Sequence, residues 1–194
     1  MAFTWKNFKE KILGQKGLLS IGFADIVGSG ITAMFWLYIA SLLDPAIYGE
    51  IIYFIGIASL VQLVASIGSV NVITVYTSKG IKIQSTLFLI NLVATAVSLC
   101  VLTLVLNRID TAFLAIGYIM FSMVNSVLLG KKYFVKYGKI ILLQKILTVT
   151  FGLGFYFGFD ADGIIYGLAL SYLPHLIIFI KEFRMTKIDF SLLR

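Results

Sequence analysis

Three ionisable side chains sit inside otherwise apolar sequence: Asp25 in GFADIVGSG, Lys145 in LLQKILT and His175 in YLPHLII. An acid, an amine and an imidazole can hold or pass protons, bind small cations or contact anionic headgroups, and apolar segments rarely carry them without a partner. On a helix, Gly22, Asp25, Ser29, Thr32 and Trp36 fall on one small, polar face that suits another helix or a water-filled cavity better than lipid. Asp25 must there be protonated, paired or hydrated. Ser59, Gln62, Ser66 and Ser69 repeat the spacing further along, as do Asn91, Thr95 and Ser98, and then Ser122 and Asn125. Residues of this kind glue helices together, and their repetition also points to a polar central cavity. Asp25, Ser29, Gln62, Asn91 and Asn125 are therefore candidate ion-coupling or cavity residues, with a proton or a sodium ion as the coupled species. Lys145 and His175 are candidate contacts for an anionic substrate headgroup. Each has a plainer reading: Lys145 can snorkel to the interface, and His175 can be a hydrogen-bonded structural group. Pro174 beside it removes a backbone donor, which should bend its helix and free the Leu170 carbonyl.

The elements that must position these groups are long and greasy. Sixty percent of the 194 residues are hydrophobic and 13% charged, too little polar surface to cover a soluble domain. Six apolar segments recur: Gly17–Leu43, Ile47–Tyr76, Ile83–Leu106, Ala112–Gly130, Ile140–Phe159 and Gly163–Ile180. Crossing about 30 Å of hydrocarbon takes about 20 helical residues, and all six are near or above that length. None shows the short alternation of barrel strands. The expectation is an all-α polytopic membrane protein with six transmembrane helices. Residues 1–16 form an interfacial segment, 17–181 the membrane domain and 182–194 a cytoplasmic tail. Trp5, Phe8 and Ile12 stand at helical spacing with interleaved lysines, as in a helix lying in the interface. The first apolar segment is too long for the core of a cleaved signal peptide.

Charge orders the connections. Lys6, Lys9, Lys11 and Lys16 precede the first segment. Lys79 and Lys82 lie between the second and third, Lys131, Lys132, Lys136 and Lys139 between the fourth and fifth, and Lys181, Arg184, Lys187 and Arg194 after the sixth. The alternate connections carry Asp44 and Glu50, Arg108 beside Asp110, and Asp160 with Asp162. Fourteen of sixteen bases thus share one side, Arg108 and Lys145 being the exceptions. By the positive-inside rule both termini are cytoplasmic in a multi-pass protein of the cell membrane. The net charge of +7 reads as a topology signal that also meets anionic lipid headgroups. Nucleic acid is not an expected partner, because no basic face with stacking aromatics lies outside the bilayer.

Enzyme motifs are missing: there is no P-loop, no HExxH and no Cys/His cluster. The single cysteine, Cys100, reads as a packing residue. Neither catalysis nor a cofactor is expected. DADG at Asp160–Gly163 reads as an outer turn, with cation binding as its lesser alternative. LDPAIYGE reads as a helix stop at Leu43, a proline turn and a new helix start.

The run LLDPAIYGEIIYFIGIASLVQLVASIG (Leu42–Gly68), TSKG at Thr77–Gly80, DADGIIYGLALSYL (Asp160–Leu173) and the terminal KIDFSLLR together resemble the polysaccharide and oligosaccharide flippases. These belong to the superfamily that also holds multidrug and toxic-compound extruders. The resemblance covers nearly the whole chain and corresponds to one six-helix half. It implies outward movement of a lipid-linked saccharide by alternating access between two lobes. It makes Asp25 similar to a first-helix acid that couples cations in some extruders, and Lys145 the match for basic cavity residues that hold phosphate. Because such a mechanism needs two lobes, a second six-helix lobe is an expected partner, supplied by homodimerisation or by a separate membrane subunit. An even helix number would place a second copy in the same orientation, as in parallel-repeat transporters. The alternative is a structural or accessory membrane subunit without transport activity.

Overall fold

The computed structural model describes residues 16–66, 68–186 and 188–189. The interfacial segment with Trp5, Phe8 and Ile12, and most of KIDFSLLR, lie outside the described residues. Every element among the described residues is helical: α1 (Lys16–Leu42), α2 (Pro45–Ala65), α3 (Ser69–Ser78), α4 (Gln84–Leu106), α5 (Ile109–Gly130), α6 (Phe134–Leu170) and α7 (Leu173–Met185). Five helical stretches are long and apolar enough to cross a membrane: Leu19–Leu42, Pro45–Ala65, Gln84–Leu104, Ile109–Gly130 and Phe134–Met185.

Local chemistry sets the joints. Asp44 caps α2, its Oδ1 accepting the Ala46 N–H at 2.9 Å, and Pro45 stands where a helix needs no donor. Gly68 adopts a left-handed φ of 71°, which divides the second apolar segment into α2 and α3 where the sequence suggested one helix. Asn107 closes α4 in the same left-handed region, at φ 50°. Within α6 the backbone leaves helical geometry at Phe159 (φ −138°, ψ 16°) and Asp160 (φ 55°, ψ −150°), where the sequence placed its outer turn.

Beyond that break the chain folds back. A Cβ on Gly163 would strike the Phe155 carbonyl, and one on Gly167 the Phe151 carbonyl. As one residue number rises the other falls, so α6 is an antiparallel hairpin with its two arms nearly touching. Only glycine permits that approach. The second arm then turns at Ser171 and Tyr172 and continues as α7, with Pro174 in its first turn. At this join His175 and Leu176 donate to the Tyr172 carbonyl, and the helix is interrupted between Leu170 and Leu173 just before Pro174.

α5 is the hub. Fourteen of its 22 residues are buried, against three of 21 in α2, and it packs against α2, α3, α4, α6 and α7. α1 runs parallel to the first arm of α6: Gly17 meets Phe134, Gly138 meets Ser20, Gly28 meets Lys145 and Gly152 meets Phe35. α2 and α3 together run parallel to α5, from Glu50 beside Arg108 to Thr77 against Gly130.

The charges sort to two ends accordingly. At one end Lys131 pairs with Glu182 at 2.6 Å, Ser85 meets Thr186, and Thr86 donates to the Asp189 carbonyl. The start of α1 and the end of α7 therefore share the lysine-rich end. Glu182 is only 6% exposed, so residues 182–186, expected to begin a cytoplasmic tail, dock onto the bundle instead. At the opposite end Arg108 reaches Asp110 at 2.9 Å and Glu50 at 3.3 Å, over the Phe54 ring. This basic exception to the charge pattern is thus neutralised by two acids.

Candidate functional site

α1 places Asp25 nine residues from its start, about 14 Å along its axis at the usual helical rise. The side chain is exposed on the outside of the bundle, as are Gly22 and Ser29. On the parallel arm of α6, Lys145 lies eleven residues in, at a similar level. Its stem crosses Gly28, where a Cβ would come within 3.1 Å of Lys145 Cγ. That crossing sets the Lys145 stem against α1 one turn from Asp25, though the two form no ion pair among the described residues, and Tyr137 lies two turns earlier on α6. Asp25, Tyr137 and Lys145 thus form an ionisable group on one outer seam, midway along the bundle, with Ser29 a turn above. An acid, an amine and a phenol so placed can exchange protons, or hold a cation or a phosphate between them.

A second polar group lies inside. Gln144 and Thr148, one turn apart on α6, meet Ser171 across the hairpin. Gln144 Nε2 donates to Thr148 Oγ1 at 2.9 Å and to Ser171 Oγ at 3.2 Å, and Thr148 and Ser171 share a hydroxyl bond of 3.2 Å. Ser171 also donates to the Leu168 carbonyl at 2.6 Å. One turn beyond, His175 is completely buried, its ring against Phe121 and Tyr172. Neither of its nitrogens has a hydrogen-bond partner, and Gln144 Oε1 also lacks one. The hydrogen-bonded structural role that the sequence allowed for His175 is not what the geometry gives it.

The seven sequence candidates therefore divide. Asp25, Ser29 and Lys145 share the outer seam. His175 is enclosed between α5 and α7, apart from that seam. Asn91 is buried on α4, its amide donating to the Leu87 carbonyl at 2.8 Å, and Asn125 is buried on α5 with an unpartnered Oδ1. Gln62 is half-buried on α2. Among the described residues, the polar stripes thus lie at separate places in the bundle. Tyr137, Gln144, Thr148 and Ser171 were not singled out in the sequence. Gln144 and Thr148 stand four apart in an apolar segment, and Gly163 and Gly167 likewise, and that spacing is the signal that could have found the hairpin contact.

No group of three metal-ligating side chains occurs among the described residues. No protein-family model, curated protein or solved structure matches this chain.

Proposed function

We propose that the chain is one lobe of a flippase-like membrane transporter, with six membrane passes and both termini cytoplasmic. It would move a lipid-linked saccharide, in company with a second six-helix lobe. The observation that carries this reading is the outward placement of Asp25 beside Lys145. Charged groups facing acyl chains at such depth cost several kcal/mol each. A bilayer-embedded bundle must therefore cover that seam with a hydrated cleft and another lobe. In this reading the α6 reversal would give the sixth pass, and the sorting of lysines to one end supports a cytoplasmic orientation of that end through the positive-inside rule. Asp25 is the proton- or sodium-coupling group and Lys145 the contact for the substrate phosphate.

A second reading, an accessory subunit without transport, is favoured by the inward stripes. Thr95, Ser98 and Ser122 bond to carbonyls of their own helices, as groups that serve packing do. The two readings separate in one experiment. The full chain is reconstituted in nanodiscs for mass measurement and in proteoliposomes for translocation of a fluorescent lipid-linked saccharide. A particle of two lobes that translocates supports the transporter, with activity lost in Asp25→Asn. A single-chain particle, or a two-lobe particle without translocation, rejects it.

A further inference from the structure

The lysine-rich end holds a groove of about 590 Å³ where α1 begins beside α6. Its walls are Gly17, Tyr133, Phe134 and Val135, with Lys132, Lys136 and Lys139 around them. Lys136 and Lys139 stand three residues apart on one side of the first turns of α6, and Lys132 lies in the turn just before it, at φ 59°. All three are exposed, and none has an ion-pair partner among the described residues. Other bases at this end are occupied differently: Lys131 is neutralised by Glu182, and Lys79 lies over the Tyr76 ring. Lys82, Lys181 and Arg184 at this end are also exposed, but they do not line the groove, where three bases gather against apolar walls.

The lining has two parts, and so must the ligand. Three ammonium groups call for a phosphate. The apolar walls, with Tyr133 and Val135 both about half exposed, call for a hydrocarbon chain attached to it. Water-soluble phosphates meet only the first requirement, and zwitterionic lipids offset the charge that the lysines would recognise. We infer that this groove is a binding site for the headgroup of an anionic phospholipid, its acyl chains running up the α1–α6 seam. The inference rests on the chain spanning a membrane, and not on its moving a saccharide.

The test uses the full chain in nanodiscs of phosphatidylcholine with a minor fraction of phosphatidylglycerol, followed by native mass spectrometry of the lipids retained. A juxtamembrane lysine is worth about a fivefold preference for anionic lipid. The wild type is expected to retain phosphatidylglycerol selectively. Lys136→Gln should lower that selectivity about fivefold, and the Lys132→Gln/Lys136→Gln/Lys139→Gln variant should abolish it. Lys79→Gln/Lys82→Gln, at the same end but outside the groove, should leave it unchanged. Should the triple variant fail to insert, the single variant carries the test. Undiminished selectivity in the groove variants overturns the site, as does an equal loss in the Lys79/Lys82 variant. Displacement of the lipid by millimolar inorganic phosphate overturns it in favour of a soluble anion. Failure of the wild type to enter nanodiscs at all removes the membrane reading, and this inference falls with it.

Discussion

α5 and α1 are both apolar helices, yet they hold polar residues in opposite ways. α5 buries Asn125 and Ser126 among Met123, Val124, Val127 and Leu128, and Ser126 donates to the Ser122 carbonyl of its own helix at 2.7 Å. α1 turns Ala24, Phe35 and Ile39 inward and leaves Asp25 and Ser29 outside. In the hub, polar atoms serve the fold, and altering them or their surroundings costs stability. On the rim, the carboxylate and its neighbours add little to the fold, so their presence calls for another explanation. Function is the one we advance.

Substitutions sharpen that contrast. The largest effect on folding is expected where the α6 arms touch. Gly167→Leu must force the Phe151 backbone away and should cost about 3 kcal/mol, read as a lower midpoint in detergent unfolding. Next comes the closure of the lysine-rich end. Glu182→Ala leaves Lys131 unpaired in a partly buried setting and should cost about 2 kcal/mol in the same assay. Smaller and opposite in sign is Asp160→Gly. At φ 55°, ψ −150° the native side chain is in a region that glycine tolerates, and its removal should stabilise by about 1 kcal/mol. The smallest folding effect belongs to Asp25→Asn, within about 0.5 kcal/mol, although translocation should be lost. A large drop in stability there would assign Asp25 to the fold and erase the difference between rim and hub.

Much of the architecture could be read from hydropathy, because each apolar run long enough to cross a bilayer did become helix. The joints were less evenly legible. LDPA announced its cap and proline, and DADG its reversal, because both combine turn-forming residues with a break in hydrophobicity. Gly68 gave no such warning: Ser66, Gly68 and Ser69 are small enough to continue a helix, and the left-handed turn depends on how α3 must meet α5. α6 begins at Phe134, six residues before the apolar run, because Lys136 and Lys139 tolerate a helix whose charged tips reach water. The candidate residues shared periodicity, but periodicity only says which residues lie on one face. Whether that face looks in or out depends on the neighbours, which is why Asp25 and Asn91, similar in their stripes, ended on opposite sides of the wall.

The α6 reversal bears on how the protein is made. Ser171 finds Thr148 and Gln144 only 23 and 27 residues upstream, so these groups can satisfy one another as soon as the hairpin closes, whatever the earlier chain is doing. The two arms can thus pair early in folding, with their hydroxyls already hidden. Asp25 has no such companion nearby in the chain, and must wait more than a hundred residues of synthesis before Lys145 exists.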